Sequence, residues 1–328
     1  MRHALIPVIA IGIAGALLTA PAASAAPITA LPDGDQIVLI DCENTPGQAF
    51  TMGADGAATP IGTGTVLPNN ASCSPSGAVD PTTGIAYYIA WGDTNDLATL
   101  DLETGVSTRV ATLSGGATDS CGIAIDASGD AFNTTNSRLH SLDLETGVNT
   151  LIGDTTLINN CAWGINPVDD EIYWFTEGGP NSSDVYRINK LTGAATFFKS
   201  LDVSALAGYM PDGVVFDKTG IAWIQDDFGD GPGGWYGVEP ADLTEGIVYA
   251  PTGYFNDVTL TVYPANFEGA GYFYSMGMIY VAGGAAAAPV LAATGAGDVS
   301  AAGGLLAGGA LLLGAMMLVV MRRRLATK

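Results

Sequence analysis

The chain repeats itself, and the repeat decides what it can fold into. Leu97-Ala-Thr-Leu-Asp-Leu-Glu-Thr-Gly-Val-Ser-Thr-Arg-Val110 returns 42 residues later as Leu139-His-Ser-Leu-Asp-Leu-Glu-Thr-Gly-Val-Asn-Thr-Leu-Ile152. A weaker copy runs from Val185 to Phe198, and an eroded one from Ala49 to Ile61, where Asp55-Gly56 stands for Thr-Gly. Each copy reads as strand, tight turn, strand. Gly56, Gly105, Gly147 and Gly193 fall where a hairpin wants a left-handed residue, and Asp101 and Asp143 are placed to accept hydrogen bonds from the turn amides.

A second unit precedes each hairpin: Ala78 to Tyr87, Ala124 to Phe132, Gly164 to Tyr173 and Val214 to Trp223. In each, an Asp or Asn opens a turn and an aromatic ends the following strand. Two hairpins in tandem make a four-stranded sheet the size of a propeller blade. Helical periodicity is absent between residues 32 and 285, and short strands joined by Gly-, Thr- and Asn-rich turns dominate. The expected fold is therefore an all-β propeller. Blades fall near 32–66, 72–113, 120–156, 160–201 and 210–250, and Tyr254 to Val281 supplies either a sixth blade or the strands that close the ring. About 250 residues at about 42 per blade suggests six, with five to seven compatible. Tyr87, Tyr88, Phe132, Tyr173, Trp174 and Trp223 recur at one place in the repeat and are expected to fill the space between sheets. These blades resemble the bacterial extracytoplasmic propellers of the YVTN and quinoprotein-like groups. That resemblance implies an architecture and leaves activity open.

The two ends say where such a propeller would work. Arg2 and His3, the apolar run Ala4 to Leu18 and Ala23-Ser24-Ala25 form a secretory leader, residues 1–25, followed by a short lead, 26–31. The propeller is expected over 32–282, with a linker over 283–290. Leu291-Ala292-Ala293-Thr294-Gly295 then precedes an uncharged, mostly apolar run over 301–321 and a basic tail, 322–328. At about 1.5 Å of helical rise per residue the run spans about 30 Å, enough to cross a bilayer once, with the tail inside. The pentapeptide, span and basic end together resemble the cell-wall sorting signal of Gram-positive bacteria, in the form favoured by high-GC actinobacteria. The resemblance implies a sortase cutting between Thr294 and Gly295 and joining the Thr294 carboxyl to a peptidoglycan precursor. In that role the pentapeptide is substrate, and the protein meets the membrane through its C-terminal helix only before processing.

Charge narrows the partners. The full chain carries 11 cationic and 33 anionic side chains. Taking away Arg2 with the leader, and Asp298, Arg322, Arg323, Arg324 and Lys328 with the tail, leaves 6 cations against 32 anions, a net charge of −26. Such a surface excludes nucleic acid and anionic lipid as partners. Cys42, Cys73, Cys121 and Cys161 all lie in the exported part, in no Cys-x-x-Cys spacing, and are expected to form two disulfides. Four cysteines allow three pairings. Cys121 with Cys161 and Cys42 with Cys73 is the choice that would staple neighbouring blades at one rim.

Catalytic chemistry finds little support in these residues. After the leader, His140 is the only histidine; it alternates with Leu142 and Leu144, and Ala98 takes its place in the sister blade. It reads as a packing residue, which removes the usual general base, so no catalytic residue is assigned. Asp226, Asp227 and Asp230 are candidate Ca²⁺ ligands in a Gly-rich insertion, although the spacing matches no EF-hand loop. Apart from this candidate calcium, no cofactor is expected. The reading is a secreted, wall-anchored propeller that binds an unknown surface ligand or serves as structural display, with the loop Asp226 to Trp235 a candidate carrier of specificity. The alternative is a carboxylate-based, Ca-dependent extracellular hydrolase or lactonase on the same propeller.

Overall fold

The computed structural model describes residues 31–42, 47–52, 58–66, 73–91, 94–116, 120–135, 137–157, 161–179, 181–204, 206, 209–227, 236–248, 254–256, 261–263 and 277–283. The leader 1–25, the sorting motif Leu291 to Gly295, the apolar run 301–321 and Asp230 lie outside them.

The described chain is an all-β propeller of five blades. The first blade takes β1 (Gln36–Asp41), β2 (Gln48–Met52) and β3 (Ala58–Pro60). The second holds β4 (Ala78–Val79), β5 (Ala86–Ala90), β6 (Asp96–Leu100) and β7 (Ser107–Thr112). In the third are β8 (Ser120–Ile125), β9 (Ala131–Thr135), β10 (Arg138–Leu142) and β11 (Asn149–Asp154). The fourth has β12 (Trp163–Asn166), β13 (Glu171–Gly179), β14 (Ser182–Ile188) and β15 (Ala195–Asp202). The fifth has β16 (Pro211–Phe216), β17 (Ala222–Asp227), β18 (Tyr236–Asp242) and β19 (Ile247–Val248). A hairpin of β20 (Tyr254–Asn256) and β21 (Thr261–Tyr263) extends the fifth blade by pairing with β18. Last comes β22 (Gly277–Val281), which returns to the first blade and becomes its innermost strand, antiparallel to β1 from Gln36↔Val281 to Ile40↔Gly277. The final segment of the repeat region thus closes the ring instead of building a sixth blade.

Five apolar clusters fill the five gaps between blades. One joins Val38 and Ile40 to Tyr88 and Leu100; the next joins Tyr87, Ile89 and Leu97 to Ile123 and Leu142. A third joins Phe132 and Leu139 to Trp163 and Trp174, and a fourth joins Tyr173 and Phe175 to Phe216 and Ile224. The fifth returns Trp223 and Val215 to Ile37, Phe50 and Met278. Every sheet is covered on both faces, because successive residues of a strand face opposite neighbours. The six recurring aromatics are all buried in these gaps, as their place in the repeat predicts.

The two repeated turns have separate jobs. In the outer hairpins Asp101, Asp143, Asn189 and Asp242 each accept hydrogen bonds through Oδ1 from the amides two and three residues on, at 2.8–3.2 Å. Gly105, Gly147, Gly193 and Gly246 follow with φ near +70°, at +73°, +68°, +70° and +73°. The fourth of these turns was concealed in the sequence, where Glu245 replaces the threonine. Each turn also docks on the outer strand of the preceding blade: Gly64 N donates to Thr104 O at 2.9 Å, and Ser114 N to Gly147 O at 3.0 Å. A Cβ on Gly153 would strike the Thr192 carbonyl, and Asp202 bridges in parallel to Ile247. The signature turn is therefore a blade-to-blade latch as well as a hairpin.

Disulfides link Cys42 to Cys73, with Cα atoms 5.5 Å apart, and Cys121 to Cys161, at 4.6 Å. The first ties the end of β1 to the segment entering the second blade; the second ties β8 to the segment entering β12. Both join adjacent blades, the pairing expected from the placement of the cysteines near the strands that enter each blade.

Candidate functional site

The innermost strands meet closely along the axis. Gly122, Gly164, Gly213 and Gly277 stand on them and Gly77 just before β4, one per blade, and a Cβ on any of them would lie within 3.2 Å of atoms of a neighbouring strand or the segment leading into it. Gly122 also carries φ +116°, which an alanine rarely adopts. Around Ser76 the strands are tied together: Ile123 N donates to Ser76 O at 3.0 Å, Gly77 N to Met278 O at 2.8 Å and Met278 N to Pro75 O at 3.0 Å. Val214 N, on the fifth blade, reaches the Ser76 Oγ at 3.1 Å. This knot draws inner strands of four blades together.

Beyond the knot the inner strands diverge around a cavity of about 400 Å³ that opens where they turn back into their blades. Val79, Ile125 and Ile165 line it, each immediately before the turn residue Asp80, Asp126 or Asn166, and Phe216 and Tyr280 complete the ring. Val79, Ile125, Ile165 and Tyr280 are only half-buried, so water reaches apolar side chains inside a concave site. The volume falls in the range of small-molecule pockets.

Five acids near the cavity, Asp35, Asp80, Asp126, Asp170 and Asp217, are engaged. Asp80 accepts from Thr82 N, Thr82 Oγ1 and Thr83 Oγ1 at 2.7–2.8 Å. Burial would raise this carboxyl, but those bonds outweigh it and hold it below the ordinary aspartate value. Asp126 accepts from Ser128 N at 2.9 Å and Asp130 N at 3.0 Å, and Lys190 bridges it to Asp170 at 3.0 and 2.7 Å. Asp217 accepts from Thr219 N at 2.8 Å, Thr219 Oγ1 at 2.6 Å, Ile221 N at 3.2 Å and the indole Nε1 of Trp223 at 3.0 Å. Asp35, its side chain fully buried, accepts from Lys218 Nζ at 2.8 Å, Gly283 N at 2.6 Å and the Tyr280 hydroxyl. Burial opposes ionisation there too; the bonds from Lys218, Tyr280 and Gly283, with the lysine charge, prevail and keep the carboxyl low. Burial and the bond to Asp35 push the Tyr280 phenol up, so it stays protonated.

The residues singled out by sequence sit elsewhere. Asp226 and Asp227 end β17, opposite Pro211 and Tyr236, at the rim away from the cavity mouth, and Asp230 lies outside the described residues. Among the described residues no group of three or more His, Cys, Asp or Glu is placed to hold a metal. His140 is buried, with its Nε2 2.9 Å from Thr135 Oγ1. The cavity ring was missed because its members are ordinary aliphatic and aromatic residues. Its trace in the sequence is position, the residue just before the turn Asp or Asn in four blades.

No family model matches the chain, and no curated protein matches it. Among solved structures, the nidogen/laminin complex aligns at 12% identity over 75% of this chain and 98% of that one, with a TM-score of 0.47. A mutant of the GH43 protein BlXynB from Bacillus licheniformis aligns at 12% over 75% of this chain and 58% of that one, TM-score 0.48. A TolB-type protein from Agrobacterium tumefaciens aligns at 12% over 72% and 91%, TM-score 0.43. At such identities the likeness concerns the path of the chain alone.

Proposed function

We propose that this propeller is exported, fixed to peptidoglycan through Thr294, and serves as a non-catalytic binding module whose site is the axial cavity. The observation that carries the binding role is the division of labour at the mouth. Asp35, Asp80, Asp126, Asp170 and Asp217 are committed to turn amides, hydroxyls, an indole or a lysine, while Val79, Ile125, Ile165 and Tyr280, half-exposed inside, are aliphatic or aromatic. General acid–base work needs a titratable group within reach of a substrate and free to exchange its proton. Here the carboxylates hold the turns.

Two disulfides agree with an oxidising compartment. The leader and the Leu291 to Gly295 motif supply the route and the attachment. About ten residues, from Ala282 to Leu291, reach roughly 35 Å at full extension, so the propeller would stay close to the wall and display its cavity there. Mass spectrometry of muramidase-digested cell walls tests the attachment. A C-terminal peptide ending at Thr294 and carrying a peptidoglycan fragment is the expected product. Recovery of Arg322 to Arg324 on the mature protein, with no such adduct, would overturn it.

A further inference from the structure

We infer that the axial cavity takes a compact, uncharged or cationic molecule with an apolar body and one hydrogen-bonding end, and that it rejects anions; this rests on the binding role proposed above. Along an antiparallel strand, the N–H and C=O of one residue point to the same side, and the sides alternate. In β8, Asp126 N bonds Asp130 O within its blade, while Ile123 N bonds Ser76 O on the next inner strand, so Ile125 turns its peptide groups toward the axis. On either side of β4, Asp80 N bonds Ile85 O within the blade and Gly77 N bonds Met278 O on the neighbouring inner strand, which turns Val79 inward. In β22, Met278 N bonds Pro75 O and Tyr280 follows it; in β16, Asp217 N bonds Ile221 O and Phe216 precedes it. In β12, Phe175 N bonds Ala162 O and Asp170 N bonds Asn166 O, leaving Ile165 to the axis.

Val79, Ile125, Ile165, Phe216 and Tyr280 are thus both the apolar ring and a ring of inward peptide groups, one per blade. The donors and acceptors are backbone and uncharged. They suit a hydroxyl, amide or amine set on a body that covers the aliphatic wall. Charge decides the rest. Asp80 and Asp170 line the cavity with Lys218, and Asp126 and Asp217 are chain neighbours of lining residues; Lys218 is held by Asp35, and Lys190 by Asp126 and Asp170. An anion would enter against a net negative rim in a chain of net charge −22.

Titration of the protein purified from its native cells with three molecules of one shape tests this: 2-naphthalenemethanol, 2-naphthylmethylamine and 2-naphthoate. The alcohol and the amine should bind at one site, the carboxylate at least tenfold more weakly, and Ile165→Trp should weaken the first two at least tenfold by filling the cavity. Val79→Phe, a smaller intrusion, repeats the blockade should the tryptophan unfold the chain. Naphthoate binding as tightly as the alcohol, binding indifferent to both variants, or no binding of any of the three overturns the inference. The Thr294 adduct is read on separate samples, so its absence alongside intact, blockable binding would remove the anchoring and leave the cavity.

Discussion

His140 is kept neutral by its surroundings: burial disfavours the imidazolium first, and the Arg138 charge adds to it, so its pKa lies below the ordinary 6.5. Its Nε2 shares a hydrogen with Thr135 Oγ1, while Nδ1 has no hydrogen-bond partner among the described residues. A depressed histidine pKa means that below about 6.5 the unfolded chain binds a proton the native chain refuses. The contribution is complete above that value and is lost as pH falls from there toward the folded pKa. His140→Gln should therefore flatten the fall of Tm between pH 7.5 and pH 5.5 relative to the parent; identical slopes would show that folding does not lower the pKa of the ring. Asp217 gives a second test at this scale. An asparagine in its place could accept through one oxygen only, would point an N–H₂ at donors, and would strand the indole of Trp223, which is 1% exposed. Asp217→Asn should cost about 2–3 kcal/mol in denaturant titrations. The turn role of Asp217 was legible in the sequence because an Asp or Asn opens every such turn. The bond to Trp223 was not, since it depends on the register Val215↔Trp223.

At the scale of elements, the hairpins were readable because each turn is chemically local, an Asx side chain, two amides and a left-handed glycine. What these turns touch was unreadable, because contact with the preceding blade involves backbone atoms far along the chain, such as Ser114 with Gly147 and Gly153 with Thr192. Two glycines separate the effects. Gly116 has φ +92° and a Cβ there would meet no atom of the described residues within 4 Å, so Gly116→Ala should cost only the backbone strain, about 1–2 kcal/mol. Gly153 has no such φ, but its Cβ would strike Thr192, so Gly153→Ala should cost about 3 kcal/mol by prising the third blade from the fourth. Equal losses in the two variants would dismiss the latch. The disulfides reinforce the same seams on their inner strands. Closing loops with separations of 31 and 40 residues, each should contribute about 4 kcal/mol by restricting the unfolded chain. Replacing Cys121 and Cys161 together by alanine should lower stability by up to that amount while leaving the Cys42–Cys73 bridge in place.

For the whole molecule, dividing length by repeat suggested six blades, and the ring holds five because the chain beyond β19 does two other things. It adds the β20–β21 hairpin to the fifth blade and then delivers β22 to the first. Neither use carries the Asx-turn signature, so nothing in the repeat announced them. Closure by β22 supplies five register pairs with β1, the Gly77–Met278 and Met278–Pro75 bonds of the axial knot, and the Tyr280 wall of the cavity. Met278 and Ile279 are both fully buried, and at about 1.5–3 kcal/mol each they represent a large share of a typical domain stability of about 5–15 kcal/mol. Without β22, Ile37 and Leu39 lose their cover and β1 becomes an open edge prone to pairing with other chains. A chain ending after Gly283 should melt cooperatively within about 2 °C of the parent. One ending after Met276 should lose its cooperative transition, bind a hydrophobic dye and aggregate. If both truncations melt alike, the first and fifth blades hold together through the Trp223 and Phe50 cluster alone, and closure of the ring is not what makes the five blades one folding unit.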